Sequence, residues 1–186
     1  MAGKTCVIVG TGKTMGTKIA NAFGAEGFHM GLVARDAAHL EEIAATVGER
    51  APGVTTFTAD VTRDDSMNAL AESVEKQLGT PDVVIYNPAI LEKVKPSEME
   101  PEPLIDSLQV NFLGAMRMVR AFLPGMRKSG KGTLLFTGGG FGFDPSIEFA
   151  THSIGKAALR NYVHSLFKEL SPERIHAATA TITAPV

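Results

Sequence analysis

Thr5-Cys6-Val7-Ile8-Val9-Gly10-Thr11-Gly12-Lys13-Thr14-Met15-Gly16-Thr17-Lys18-Ile19-Ala20-Asn21-Ala22-Phe23 decides the fold. A short apolar run, a turn holding three glycines and an apolar-periodic stretch read as strand, tight turn and helix. Glycine serves where the backbone must bend sharply or approach a ligand closely. The helix that follows offers unpaired N–H groups and the positive end of its dipole to an anion. This is the arrangement that holds a dinucleotide pyrophosphate, and its candidate residues are Gly10, Gly12, Lys13, Thr14, Met15 and Gly16. The spacing is G-x-G-x-x-x-G rather than the usual G-x-G-x-x-G, so the surrounding chain has to carry the reading.

A second apolar run, Met30-Gly31-Leu32-Val33-Ala34, ends at Arg35, about twenty residues past the glycines, where the side chain that meets the adenosine ribose belongs. An acidic residue there accepts from the free ribose hydroxyls, whereas an arginine forms a charge-assisted fork with a 2′-phosphate. Arg35 therefore favours NADP(H) over NAD(H), with Lys13 as a second cation near the same phosphate. The alternative is that both are solvated surface cations. Asp36 is read as the N-cap of the next helix.

The 186 residues, 44% hydrophobic and 20% charged with a net charge of -2, suit a single domain over 1–186 with a substantial core. No basic stripe points to nucleic acid, and no apolar run approaches the roughly twenty residues that cross a bilayer. The opening Met1-Ala2-Gly3-Lys4 leads into the first strand without a secretory apolar segment, which places the expected location in the cytoplasm. The lone Cys6 sits in an apolar strand and reads as a small buried hydrophobe.

Strand and helix signals alternate along the chain, the pattern of a parallel sheet wrapped by right-handed crossovers. Strands are expected near Thr5 to Val9, His29 to Ala34, Val54 to Ala59, Asp82 to Tyr86, Thr133 to Thr137 and His176 to Ile182. Helices are expected near Met15 to Glu26, Ala37 to Glu49, Asp64 to Leu78, Leu104 to Lys128 and Phe149 to Leu170. Asp64 and Ser97 read as cap or turn residues. The fold class is thus α/β, a Rossmann-type doubly wound parallel sheet in three α/β/α layers with at least six strands.

At the strand ends the chain resembles the short-chain dehydrogenase/reductase family over nearly its whole length. Asp60-Val61 is similar to the family's adenine-contacting acid and its neighbour. Asn87-Pro88-Ala89, within Tyr86-Asn87-Pro88-Ala89, stands where the family has Asn-Asn-Ala-Gly. Asn111 resembles the helix-borne asparagine that supports a water relay, and Lys156 the lysine that holds the nicotinamide ribose and lowers the pKa of a catalytic tyrosine. The resemblance also implies cofactor contact near Pro185. Each residue has a plainer reading: a loop cap for Asp60, a turn for Asn87, a buried polar bridge for Asn111, a solvated helix cation for Lys156.

The departures from the family are chemical. The catalytic tyrosine's position, one helical turn before the lysine, is His152, and the catalytic serine's counterpart is Gly139. Thr14 replaces the middle glycine of the turn, which a negative φ tolerates. Thr137 is a spare hydroxyl near the site, and Ser153 points off at another helical angle.

Two functions follow. One is an NADP(H)-dependent oxidoreductase acting on a small carbonyl or alcohol, with His152 as the proton-transfer group. The other is a catalytically impaired NADP(H)-binding sensor, scaffold or partner subunit. The family's C-terminal substrate lid and seventh strand have no counterpart in these residues. Apolar positions on two long helices (Phe112, Met116, Val119, Leu123 on one; Leu159, Tyr162, Val163, Leu166, Phe167 on the other) exceed one sheet-facing stripe. The resemblance therefore implies a homodimer or homotetramer through them, unless the extra residues simply cover the sheet.

Overall fold

Thr5–Val9 (β1) is buried along its whole length because it lies in the middle of a parallel sheet. The computed structural model describes residues 3–183. The other strands are β2 (His29–Ala34), β3 (Val54–Thr58), β4 (Val83–Tyr86), β5 (Gly132–Gly139) and β6 (Ile175–Ile182), in the order β3-β2-β1-β4-β5-β6. The helices are α1 (Met15–Ala25), α2 (Ala37–Gly48), α3 (Asp64–Leu78), α4 (Pro101–Leu108), α5 (Gly114–Ser129) and α6 (Ala150–Leu170). This is a Rossmann-type α/β fold. Strand order reverses between β1 and β4, and in such sheets ligands bind in the crevice outside the strands' carboxyl ends at that point.

The period of two along each strand sorts the side chains into two cores. Val7, Val9, Val84, Tyr86, Leu134 and Phe136 face α3, α5 and α6, while Cys6, Ile8, Met30, Leu32, Val83 and Ile85 face α1 and α2. Burial pushes the Cys6 thiol pKa far up, in keeping with an inert core residue. Asp36 caps α2 as expected, accepting from the N–H groups of Ala38 at 2.9 Å and His39 at 3.3 Å. Asp64 is the first residue of α3 rather than its cap, and Asp65 joins it in a first turn that suits acids. Ser97 lies in a short 3-10 turn, Pro96–Glu98.

The expected single helix from Leu104 to Lys128 is two helices, α4 and α5, joined by a π-helical turn at Gln109–Leu113. A π turn frees a carbonyl, and Tyr86 supplies the missing donor: its Oη donates to Val110 O at 2.6 Å. Gly114 is required beside it, since a Cβ there would collide with that hydroxyl. The apolar excess on the long helices is mostly spent within the chain. Val119, Leu123, Leu159, Val163 and Leu166 are buried, and Phe112 meets Tyr162 edge to face at 5.9 Å. Phe167 stays 47% exposed. Among the described residues no helix is long and apolar enough to cross a membrane.

Candidate active site

A cleft of about 1010 Å³ opens at the carboxyl ends of the strands. Gly10, Gly12, Thr14, Met15 and Gly16 line its floor. Gly10 has φ +87°, and a Cβ on it would lie 2.7 Å from the Pro88 ring. At Gly16 a Cβ would lie 2.8 Å from Thr11 Cα, so this glycine lets α1 start hard against the turn. Gly12 has nothing within 4 Å of its Cβ position, which leaves a cradle that a diphosphate can enter. Thr14 has φ -102° and makes no side-chain cap bond, so the first N–H groups of α1 keep their capacity for an anion. The Thr11 hydroxyl ties the turn to both neighbours, donating to Ile8 O at 3.0 Å and accepting from Val33 N at 3.1 Å.

Arg35 lines the cleft at the end of β2 and is exposed. Lys13 is not on the cleft wall. Its Nζ pairs with Glu42 of α2 at 2.8 Å, with both side chains more than 60% exposed. Asp60 and Val61 follow β3 and line the cleft. The Asp60 carboxylate accepts from Thr62 N at 2.9 Å and Thr62 Oγ1 at 2.8 Å, and these bonds hold its pKa below the ordinary value, with a small contribution from Arg35. Asn87, Pro88 and Ala89 follow β4 on the opposite wall. Asn87 Nδ2 donates to Gly10 O at 2.8 Å, so Asn87 braces the glycine turn.

The far end of the cleft brings together Gly139, His152 and Lys156. A Cβ on Gly139 would lie 3.6 Å from His152 Nε2 and 3.3 Å from Lys156 Cγ. His152 Nδ1 bonds Ile90 O at 3.0 Å. Lys156 is buried and donates to Thr137 O at 2.8 Å; burial lowers its pKa to about 8. Burial also lowers the His152 pKa, the Lys156 charge lowers it further, and the Ile90 bond acts in the opposite sense. Asn111 does not reach the cleft wall. It is fully buried in the π turn, where Oδ1 accepts from Ile90 N at 3.0 Å while Nδ2 donates to Ile90 O at 3.0 Å and Ser107 Oγ at 2.9 Å. Thr137 Oγ1 donates to Tyr86 O at 3.3 Å, and Ser153 Oγ donates back to Phe149 O at 2.9 Å. Pro185 lies outside the described residues.

Sequence reasoning assigned no role to four participants. Ile90 acts through its peptide group, which no side-chain pattern reveals. Phe141 and Phe149 stack at 6.0 Å with an interplanar angle of 15°, and Phe141 also meets His152 edge to face at 6.3 Å. The loop from Phe141 to Phe149 was legible as a pocket-shaping segment, but the stacking of its two terminal aromatics beside His152 was not. Glu42, the partner of Lys13, sits 29 residues downstream and carried no signal.

A family model described as short chain dehydrogenase matches residues 4–184. An uncharacterized oxidoreductase of Staphylococcus saprophyticus is 25% identical over 169 residues, which span 90% of this chain and 72% of the relative. The structure of L-sorbose reductase from Gluconobacter frateurii, complexed with NADPH and L-sorbose, is 27% identical with a TM-score of 0.90, covering 96% of this chain and 68% of that one. An alcohol dehydrogenase from Thermococcus sibiricus, complexed with 5-hydroxy-NADP, is 26% identical with a TM-score of 0.85 and coverages of 96% and 74%. The glycine turn, the strand-end residues and these matches agree: the chain belongs to the short-chain dehydrogenase family of oxidoreductases.

Proposed function

We propose that this chain binds NADP(H) and moves a hydride between it and a small carbonyl or alcohol, with His152 transferring the proton. A single observation carries the chemical part: His152 Nε2 is 3.6 Å from the position a side chain on Gly139 would take, and it has no hydrogen-bond partner among the described residues. An imidazole with a near-neutral ordinary pKa suits general acid–base work at that point. When bound, the nicotinamide supplies or accepts the hydride. The cradle at Gly12 and the end of α1 would hold the pyrophosphate, Asp60 and Val61 the adenine side, and Lys156 the nicotinamide ribose.

The preference for NADP(H) rests on Arg35, which makes no ion pair among the described residues and is open to a 2′-phosphate. Lys13 is a weaker candidate because Glu42 already holds it. Solved relatives hold NADPH, 5-hydroxy-NADP or NAD, so the choice rests on Arg35. The exposed Phe167 of α6 supports self-association into a homodimer or homotetramer through the long helices.

The missing hydroxyl at Gly139 favours a second reading, an NADP(H)-binding subunit with little turnover. Calorimetric titration and steady-state rates separate the two. NADPH is expected to bind about 10- to 100-fold more tightly than NADH, with Arg35→Ala losing that margin. His152→Ala is expected to lower turnover about 100-fold with NADPH binding kept. A wild type that binds NADPH and turns over neither carbonyls nor alcohols, but gains activity as Gly139→Ser with His152→Tyr, establishes the second reading instead.

A further inference from the structure

We infer that the resting site takes an apolar secondary alcohol whose hydroxyl proton passes to Nε2 of His152, because the Ile90 carbonyl fixes the ring in its Nδ1–H form. The inference rests on the oxidoreductase reading above and adds direction and substrate class to it.

A carbonyl oxygen only accepts, so the 3.0 Å contact between Ile90 O and His152 Nδ1 requires the hydrogen to sit on Nδ1. The Ile90 peptide cannot swing away to permit the other tautomer. Its N–H is held by Asn111 Oδ1 at 3.0 Å, and its oxygen also takes Asn111 Nδ2 at 3.0 Å. The amide orientation of Asn111 is fixed by the same pair, since Ile90 N–H needs an acceptor. In the neutral ring Nε2 then carries a lone pair and is a base. Lys156 is the charge that acts on the ring, and it disfavours the imidazolium. Lys93 and Glu148, from the two loops beside His152, pair with each other at 3.9 Å and are exposed. A ring in this state accepts a proton at neutral pH, whereas carbonyl reduction needs it charged first.

The surroundings select the rest of the substrate. Ile90 bonds the His152 ring and Phe141 meets it edge to face at 6.3 Å; Val110, Phe149 and the 56% exposed Leu91 also line the cleft, beside Thr137 and the glycine segment 138–140. A polyol would bring hydroxyls against these groups without partners, at a cost in affinity; an alkyl or aryl substituent would not. In the reaction the substrate O–H bond would break toward Nε2 of His152, and NADP⁺, when bound, would take the hydride from the carbinol C–H bond. A C=O bond forms, and the imidazolium later loses its proton to solvent.

The test begins with long-range 15N–1H correlation spectra of the ligand-free protein, His152 being assigned by its loss in His152→Asn. The Nδ1–H tautomer is expected; an Nε2–H tautomer overturns the inference whatever the activity. NADP⁺ with 1-phenylethanol, 2-octanol, xylitol and sorbitol is then assayed across pH 5–9, with NADPH binding followed separately by fluorescence. The aryl and alkyl alcohols are expected to exceed the polyols at least tenfold in kcat/KM, with rates rising from pH 5 to a plateau. A polyol preference, rates that fall as pH rises, or no oxidation of any alcohol by a protein with the Nδ1–H tautomer each overturns it. Failure to bind NADPH instead removes the oxidoreductase reading beneath it.

Discussion

At Gly10 a Cβ would lie 2.7 Å from the Pro88 ring and at Gly16 2.8 Å from Thr11 Cα, whereas at Gly139 the nearest atoms would be Lys156 Cγ at 3.3 Å and His152 Nε2 at 3.6 Å. Gly10 also has φ +87°, while Gly139 has an extended φ of -135° that any residue adopts. The glycines after β1 and the glycine ending β5 thus stand on the same cleft under different constraints. At the turn, packing dictates glycine. At the end of β5 a small side chain fits, so the lack of one is a chemical property of the site and not a steric necessity. The two ends therefore carry different information: the first reports how the fold closes, the second what reaction it runs.

Gly10→Ala breaks the comparison most severely. Overpacking against Pro88 and a positive φ together are expected to destabilise the protein by about 3–5 kcal/mol in urea unfolding. A loss below about 1 kcal/mol would remove the steric argument.

Lys156 sharpens the other side, because it is a buried cation kept against the interest of stability. Its folded pKa of about 8 lies below the ordinary 10.5, so between those values the unfolded chain binds more protons and stability rises with pH. Below pH 8 the penalty is fully present. Measured against Lys156→Met, the parent is expected to gain about 2–3 kcal/mol between pH 7 and 10.5. Parallel pH profiles for the two proteins would mean that Lys156 is not held near that value.

The smallest effect is expected from Gly139→Ser, less than about 1 kcal/mol in either direction, since the flexible Lys156 stem yields the few tenths of an ångström required. A Tm drop as large as that of Gly10→Ala would show the two glycines to be equivalent.

The layered sheet was legible because β1, β2 and β4 are apolar runs bounded by glycine, asparagine and acidic punctuation, and because Asp36 sits at a helix start. The negative φ of Thr14 was legible as a condition the substitution had to meet. The clasp on His152 was not, since it joins a histidine to a peptide group 62 residues away and no residue type marks that peptide. Lys13 illustrates the same limit: its charge was visible, its pairing from the glycine turn to Glu42 of α2 was not. The apolar residues of α5 and α6 were visible in the sequence, but which of them the sheet takes was not: Val119, Leu123, Val163 and Leu166 are buried, and Phe167 is left exposed.

The π turn at Gln109–Leu113 acts as a take-up for one residue. An α-helix turns about 100° per residue, and the wider π turn fits one residue more into about one turn, so the helix beyond it keeps its facing. Asn111 belongs to the turn, and the sheet-facing stripe of Met118, Phe122 and Met126 lies after it. Deleting a single residue such as Leu113 is therefore expected to leave that stripe on the sheet while the wide turn that seats Asn111 against Ile90 closes. The extra residue in this segment thus serves the histidine clasp and not the facing of the core.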